Sequence, residues 1–328
     1  MGKKSFLHYN KRRYHCPCCN KHFYENFSLL SKWGRITIRL AFYAIHLLDE
    51  RQSVSSVARI LGISSSSVLR RMKYVKFPKP ERLPEVLSID EFRGNAGGQK
   101  FQAILTDAKK HKLFDILPTR SQTDLMLYLQ SFTNKKEVKY FVSDMNKVYV
   151  DIAREYFPNA TIVIDKFHVV RYVTWALENV RKRIQKELHP SKRKYFKRSR
   201  KILLAHRKKL SEESIQALEV MLLQSPDLAT AYYLKELFYT FMESENRIEA
   251  DKRLKFFILA ASTSNLKEFE PCLTMLANWS KYILNAFECK YTNGYAEGIN
   301  NAIKVIKRNA FGYRNFENFR NRIFLSLT

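Results

Sequence analysis

Three aspartates in the middle of the chain each follow a short apolar run. Asp90 follows VLSI, Asp144 follows YFVS and Asp165 follows TIVI. An ionised carboxylate at the end of a buried strand is costly unless it binds something, although an acid in this place is also common as a helix cap. Carboxylate oxygens bind Mg²⁺, and two such ions can neutralise both oxygens of a phosphodiester exchange. The pattern predicts a phosphoryl-transfer site with Mg²⁺ or Mn²⁺ as the cofactor.

A fourth carboxylate, Glu297, lies in the last amphipathic segment, from Asn293 to about Asn309. Glu297, Asn301, Lys304 and Arg308 follow one another at intervals of four, three and four residues, which places them on one helix face. This face offers one metal ligand, followed by polar and basic groups that suit DNA. The alternative is an ordinary surface helix.

Strand-like patterning begins at residue 85. Three short apolar runs predict an antiparallel meander, and a helix, a strand, a helix and a strand follow up to Asp165. If the first and fourth strands are parallel neighbours, Asp90 and Asp144 can share a metal. Asp107 and Asp115 rank lower, because a meander points at least one of them away. Residues 169 to 290 show only helical periodicity, so we expect an α/β fold with a mixed sheet covered by helices.

Residues 35–80 predict a DNA-binding unit. The segment SVSSVARILGISSSSVLRRM has the form of a helix-turn-helix, with Gly62 at the turn and Ser64 as the cap of a third helix that could enter a major groove. The candidate DNA contacts are Ser64, Ser66, Arg70 and Arg71. An ordinary helical hairpin is the alternative, and the sequence FPKP then predicts a linker.

Residues 1–34 contain half of a zinc-ribbon-like pattern. Cys16, Cys18 and Cys19 are followed by His22, and Cys16 and Cys19 are the candidate ligands. Structural zinc needs four ligands, so we favour the alternative, reduced cysteines in a small loop. Five cysteines, an odd number, suit a reducing compartment better than a disulfide framework. We therefore expect a cytoplasmic protein.

The charge of the chain points to a polyanionic partner. Its formal net charge is +27, from 58 Lys and Arg against 31 Asp and Glu. Nucleic acid is the leading partner, with a ribosomal or generally adhesive basic protein as the alternative. Residues 181–210 hold fourteen Lys or Arg and one acid, Glu187. Apolar residues interrupt this run at helical intervals, which predicts an amphipathic region whose basic side follows a phosphate backbone. No apolar run approaches the roughly 20 residues that cross a bilayer.

Four segments together resemble a known family. They are SIDEF from residue 88, SDM from residue 143 with Tyr149, DKFHV from residue 165, and YAEGINN from residue 295 with Lys304. The sequence resembles the DDE transposases of bacterial insertion sequences, most closely the ISL-three family, from about Tyr14 to its end. The family also has an upstream Cys-x-x-Cys that this sequence lacks, which suggests an N-terminally shortened copy.

The resemblance implies a ribonuclease H-like catalytic core, formed by residues 85–175 and 290–328, with a helical insertion at 176–289. It implies that Asp90, Asp144 and Glu297 bind the metal. Asp165 and His168 match an acid-x-x-His signature of insertion-bearing families, and for His168 a structural role is the equal alternative.

The function we expect is metal-dependent cleavage and strand transfer at the ends of an insertion sequence. Asp165, His168, Asn301 and Lys304 are the expected supporting residues. Double-stranded DNA, both element ends and target, is the expected partner, and a homodimer or higher oligomer is expected because two element ends must be joined. The alternatives are a catalytically inactive DNA-binding relic or repressor, and a ribonuclease H-like nuclease that acts on RNA or hybrids.

Overall fold

The computed structural model describes residues 5–30, 34–72, 74–188, 193, 200–289, 291–310 and 312–327. The chain begins with a short antiparallel hairpin of β1 (Arg13–His15) and β2 (His22–Tyr24). None of the helices in the described ranges combines the length and the apolar character needed to cross a membrane.

Three short helices follow the hairpin: α1 (Ile38–Asp49), α2 (Val54–Leu61) and α3 (Ser65–Met72). The side chains of Thr37 and Ser53 accept backbone N–H groups in the first turns of α1 and α2. Gly62 ends α2 with φ +65°, a left-handed conformation that glycine adopts without steric cost. The three helices share a small apolar core of their own, formed by Ala44, Leu48, Val57, Ala58, Val68 and Met72.

The centre of the protein is a five-stranded mixed sheet, which confirms the predicted architecture. Its strands are β3 (Val86–Phe92), β4 (Gln102–Asp107), β5 (Lys112–Leu117), β6 (Tyr140–Ser143) and β7 (Thr161–Ile164). Their order across the sheet is β5-β4-β3-β6-β7. The first three pair antiparallel, as the meander predicts, and β6 and β7 continue parallel to β3. The first and fourth strands of this sheet are therefore parallel neighbours.

Helices cover both faces of the sheet. Leu87, Ile89 and Phe141 point into the main core together with α4 (Gln122–Gln130) and α5 (Lys147–Tyr156). The alternate residues of the same strands, such as Val86 and Val142, belong to a separate apolar cluster on the opposite face. The opposite face also carries Asp90, which lies within β3, and Asp144 and Asp165, which directly follow β6 and β7.

The stretch from Lys166 to Asn285 is helical in all its described secondary structure. Its helices are α6 (Lys166–Glu187), α7 (Arg200–Leu204), α8 (Glu212–Leu222), α9 (Pro226–Met242), α10 (Arg247–Thr263) and α11 (Glu270–Asn285). The last helix packs along β7. There the side chain of Asn285 donates to the carbonyl of Ile162 at 2.7 Å, which satisfies an acceptor on the edge strand.

Several cations of the basic run at 181–210 have acidic partners within the protein. Five of its cations form ion pairs within the helical region: Arg181, Arg183, Arg200, Arg207 and Lys208. Arg183, for example, binds Glu268 at 2.7 Å and Asp227 at 2.9 Å. Residues 192, 194, 197 and 198 of the run lie outside the described residues. These ion pairs hold the helices of this region together, and contact of the basic side with a phosphate backbone stays a prediction.

Two helices close the fold, α12 (Gly294–Asn309) and α13 (Phe316–Leu327). Ile299 and Ile303 of α12 pack with Phe319 and Ile323 of α13 against the sheet. The guanidinium of Arg322 in α13 donates to backbone carbonyls at the end of α1, those of Leu48 and, at 2.9 Å, Gln52. Helix α13 thus joins the three-helix unit to the sheet.

Candidate functional site

The strand register brings Asp90, Asp144 and Asp165 to one level of the sheet. Ser88 in β3 pairs with Val142 in β6, and Ser143 pairs with Ile164 in β7. Continuing each register by one or two residues aligns Asp90 with Asp144 and Asp144 with Asp165. Residues at one level of adjacent strands project from the same face, with strands about 4.8 Å apart. The three aspartates are therefore aligned on one face of the three parallel strands, Asp90 within β3 and the other two directly after β6 and β7.

Asp90 is buried, with 7% of its surface exposed. Its Oδ1 accepts the backbone N–H of Glu91 at 2.7 Å, and its Oδ2 accepts the side-chain amide of Asn300 at 2.9 Å. Burial raises the pKa of Asp90 to about 6, against the hydrogen bond from Glu91, and the negative charges of Asp144 and Glu297 add to the rise. Asp90 thus lies in a buried, acidic site, where a bound cation would stabilise its ionised form.

Asp144 directly follows β6 and is half-buried. Its Oδ1 is inaccessible to solvent and has no hydrogen-bond partner. Burial raises the pKa of Asp144, while the nearby His168 opposes the rise. A buried carboxylate oxygen without a donor costs free energy, and a cation bound there would satisfy it.

Helix α12 brings Glu297 to these aspartates through two asparagines on the same helix face. Asn293 is fully buried and accepts a hydrogen bond from the Ser88 hydroxyl of β3. One turn beyond Glu297, Asn300 donates to Asp90 and, at 3.4 Å, to the carbonyl of Glu91. Burial raises the pKa of Glu297, and the charge of Asp165 adds to the rise. These contacts fix the rotation of α12 so that Glu297 faces the acids.

Asp165, His168 and Glu297 form a group that could hold a metal ion. One ligand atom of each lies within 4.8 Å of the others. His168 Nδ1 lies 3.6 Å from Asp165 Oδ2 and has no hydrogen-bond partner. The Asp165 carboxylate raises the pKa of His168, and burial opposes this. Oxygen donors with one imidazole suit Mg²⁺ or Mn²⁺, so the residues present fit a divalent cation.

The other site residues expected from the sequence lie on the outer side of α12. Asn301, Lys304 and Arg308 are exposed, and Lys304 Nζ donates to Asn301 Oδ1 at 3.1 Å. The structure brings Asn300 to Asp90, and Asn301 has no contact with the acids. Neither Asn300 nor Asn293 is among the site residues predicted from the sequence. Their spacing of three and four residues from Glu297 is the signal that could have identified them.

Asp107 and Asp115 lie away from the three aligned aspartates. Asp107 Oδ1 accepts the backbone N–H groups of Lys109 and Lys110, each at 3.0 Å, in the turn between β4 and β5. Asp115 is buried and binds Arg320 of α13 at 2.7 Å, and it accepts the Tyr128 hydroxyl at 2.7 Å. Each has partners that account for its charge.

The candidate DNA contacts of α3 occupy its first turn and its end. Ser64 Oγ accepts the backbone N–H of Ser67 at 3.2 Å, so it caps the helix. Ser66 and Arg70 are exposed, and Arg70 Nε donates to the Ser66 carbonyl at 3.3 Å. The Arg71 guanidinium lies 5.9 Å from the ring centroid of Tyr74.

Cys16 and Cys19 lie in the turn between β1 and β2, and both are free thiols. Hydrogen bonds from Cys19 and Cys18 lower the pKa of Cys16. Within the described ranges, the group of three or more metal-binding side chains is the one at Asp165, and the two cysteines do not gather a third ligand. Zinc at this turn therefore has no further support.

We expect Mg²⁺ to stabilise the protein more at pH 7.5 than at pH 5.5. The pKa of Asp90 is about 6, above the ordinary carboxyl value of 3.8, so the folded metal-free protein binds this proton more tightly than the unfolded chain. The stability that this proton contributes is present at low pH and is lost as the pH rises from about 4 to 6. Bound metal displaces this proton. The affinity of the folded protein for the metal therefore rises by up to about tenfold per pH unit as the pH approaches 6.

Melting temperatures with and without Mg²⁺ at the two pH values test this expectation. Wild type should gain more at pH 7.5, and this pH dependence should be weaker in Asp90→Asn, in which Asp144, Glu297 and His168 still have raised pKa values. An equal gain at both pH values in the wild type would contradict the assignment.

The sequence of the chain matches two family models and is similar to two known proteins. A family model described as "Transposase" matches residues 87–323. A second, the "Helix-turn-helix domain of transposase family ISL3", matches residues 25–75. The transposase for insertion sequence element IS1001 of Bordetella parapertussis is 27% identical over 323 residues, 95% of this chain and 79% of that protein. A Lactococcus lactis subsp. lactis protein named ATP-dependent protease is 34% identical over 134 residues, 40% of this chain and 38% of that protein.

Proposed function

The chain belongs to the ISL3 family of transposases, and we propose that it cleaves DNA at the ends of an insertion sequence and joins the resulting 3′-ends to target DNA. The observation that carries this proposal is the alignment of Asp90, Asp144 and Asp165 at one level of the sheet, with Glu297 of α12 close to Asp165 and His168. A ribonuclease H-like core is the fold that the proposal assigns to this arrangement, because its strand order brings the first and fourth strands side by side.

The proposed metal ligands are Asp90, Asp144 and Glu297, with Asp165 and His168 beside them. Bound Mg²⁺ or Mn²⁺ would supply neutralisation of the attacking and leaving oxygens. Asn300 of α12 donates to Oδ2 of Asp90 and so holds this carboxylate towards α12 and Glu297. His168 balances the charge of Asp165 and of Asp144. The protein groups thus hold the acids in place before DNA arrives, as catalysis by positioning requires.

DNA would approach along the outer side of α12. Lys304, Lys307 and Arg308 line a cavity of about 440 Å³, together with residues of the loop after β3. Lysine and arginine side chains there are suited to phosphate oxygens. Helix α3, with Ser64, Ser66, Arg70 and Arg71, would read the element end in a major groove. Because two ends must be brought together, we propose that the protein acts as a homodimer on DNA.

The test is cleavage and joining of DNA that carries the flanking ends of the element. Wild-type protein should nick these ends and join them to a plasmid with Mg²⁺ or Mn²⁺, and EDTA should abolish both products. The same ends with scrambled sequence are the control for recognition. Tight, salt-sensitive binding of the ends without any metal-dependent product would overturn the proposal and favour a DNA-binding repressor. Cleavage of RNA–DNA hybrids in preference to duplex DNA would favour a ribonuclease.

A further inference from the structure

Helix α6 carries an exposed aromatic and basic stripe that begins at the carboxylate site. Phe167, Arg171 and Trp175 follow one another at intervals of four residues and so lie on one face of the helix. Phe167 is 61% exposed and Trp175 is 50% exposed. The opposite face of the same helix is buried in the main core through Val169, Val173, Ala176 and Leu177. The helix therefore does not need the two aromatic rings for its own packing.

The stripe starts beside the proposed metal ligands. Phe167 is adjacent in sequence to His168, and their rings meet edge to face with centroids 5.8 Å apart. Trp175 lies two helical turns further on, about 12 Å from Phe167 at 1.5 Å per residue. This length corresponds to roughly three or four nucleotide rises of a DNA strand. A strand whose phosphate lies at the acids can therefore place its neighbouring nucleotides along the stripe.

The charges along the stripe are complementary to a phosphate backbone. The Arg171 guanidinium lies over the indole ring of Trp175, 4.6 Å from its centroid. Lys182 and Lys186 are exposed further along α6. Glu178 is buried and binds Arg181 through two hydrogen bonds of 2.7 and 2.8 Å, so its charge is neutralised. Exposed rings interleaved with cations are the combination that binds single-stranded nucleic acid.

We propose that this stripe binds the unpaired bases of the DNA strand next to the cleaved phosphate, by stacking on Phe167 and Trp175. The occupant is an unpaired strand, because in duplex DNA each base face is covered by its neighbours and cannot stack on a side chain. The proposal rests on the proposed function for the identity of the nucleic acid. It adds a binding site for strand separation at the element end, which the carboxylates alone do not provide.

The test compares two oligonucleotides of equal length and charge, without divalent metal. One is a labelled oligothymidylate and the other is an abasic oligonucleotide with the same backbone. Fluorescence anisotropy should show that wild-type protein binds oligothymidylate about tenfold more tightly, from stacking of one to two bases. Trp175→Ala and Phe167→Ala should each reduce this preference severalfold, whereas Trp175→Phe should keep most of it. Affinity for the abasic oligonucleotide should stay the same in all of them.

Tyr233→Ala is the matched control. Tyr233 is 55% exposed and lies on α9, on a different helix, so its loss should leave the preference unchanged. Equal affinity of the wild type for both oligonucleotides would overturn the proposal. A preference for oligothymidylate that survives in both alanine variants would also overturn it. A loss of dimers in Trp175→Ala would overturn it as well, because it would identify the stripe as a protein interface. Because this binding needs neither metal nor cleavage, its failure is distinct from failure of the proposed catalysis.

Discussion

Replacing Asp90 or Asp144 by asparagine, or Glu297 by glutamine, is expected to lower the rate of DNA cleavage by on the order of a thousandfold or more. Each amide keeps the shape of the side chain and removes one negative charge from a site built to bind cations. The effects of the three substitutions should not add, because the residues act as one unit. Affinity for the element ends should change little, since α3 and the basic face of α12 remain intact. Single-turnover cleavage and a binding assay on the same DNA measure the two quantities.

Asp107→Asn is the control for this prediction. Asp107 is also an aspartate at the end of a strand of the same sheet, but it caps a turn through the N–H groups of Lys109 and Lys110. Its substitution should leave the cleavage rate within a few-fold of wild type. Retention of near-normal cleavage in Asp144→Asn would remove that residue from the metal site.

Replacing Arg320 by methionine is expected to destabilise the protein by about 3–5 kcal/mol, the usual cost of leaving one partner of a buried ion pair alone. Asp115 would keep the Tyr128 hydroxyl but lose both guanidinium contacts, at 2.7 and 2.8 Å. Its side chain is only 3% exposed, so water cannot replace them. Arg320 also donates to the carbonyl of Phe77 at 2.9 Å, at the join between the three-helix unit and the sheet. Urea denaturation measures the loss.

The double variant with Asp115→Asn and Arg320→Met separates the ion pair from the packing of Arg320. Because it leaves no buried charge, it should recover a substantial part of the stability lost in Arg320→Met alone. The variant with Asp115→Asn alone completes the comparison. If the losses of stability in the two single variants simply add in the double variant, Asp115 and Arg320 act independently, and the loss in Arg320→Met does not come from an unpaired Asp115.

Much of the sheet could be predicted because its signals are local. The alternation and the turn residues around β3, β4 and β5 indicate a meander, and the aspartates that follow β6 and β7 mark where those strands end. The register that aligns Asp90 with Asp144 is a property of the paired strands. From the sequence alone, the alignment of Asp90 with Asp144 depended on the assumption that the first and fourth strands are parallel neighbours.

The rotation of α12 could not be read from its own sequence. A helix with Glu297 on one face offers Asn300 and Asn301 as equally good neighbours by spacing alone. The choice is made by Ile299 and Ile303, which pack against the sheet and turn Asn300 towards Asp90. Charge partners are hidden in the same way. In the sequence Arg183 is one cation of a basic run, and only the fold brings Asp227 and Glu268 to it, from 44 and 85 residues away.

The most direct measurement of the central claim, that these carboxylates hold the catalytic cation, is the metal preference of Asp144→Cys. Mg²⁺ takes oxygen ligands, whereas Mn²⁺ accepts softer donors such as a thiolate. Cleavage of element-end DNA by Asp144→Cys should be lost with Mg²⁺ and substantially restored with Mn²⁺, while Asp144→Ala stays inactive with both ions. Equal activity of Asp144→Cys in the two ions, whether near wild type or absent, would contradict direct metal binding by Asp144.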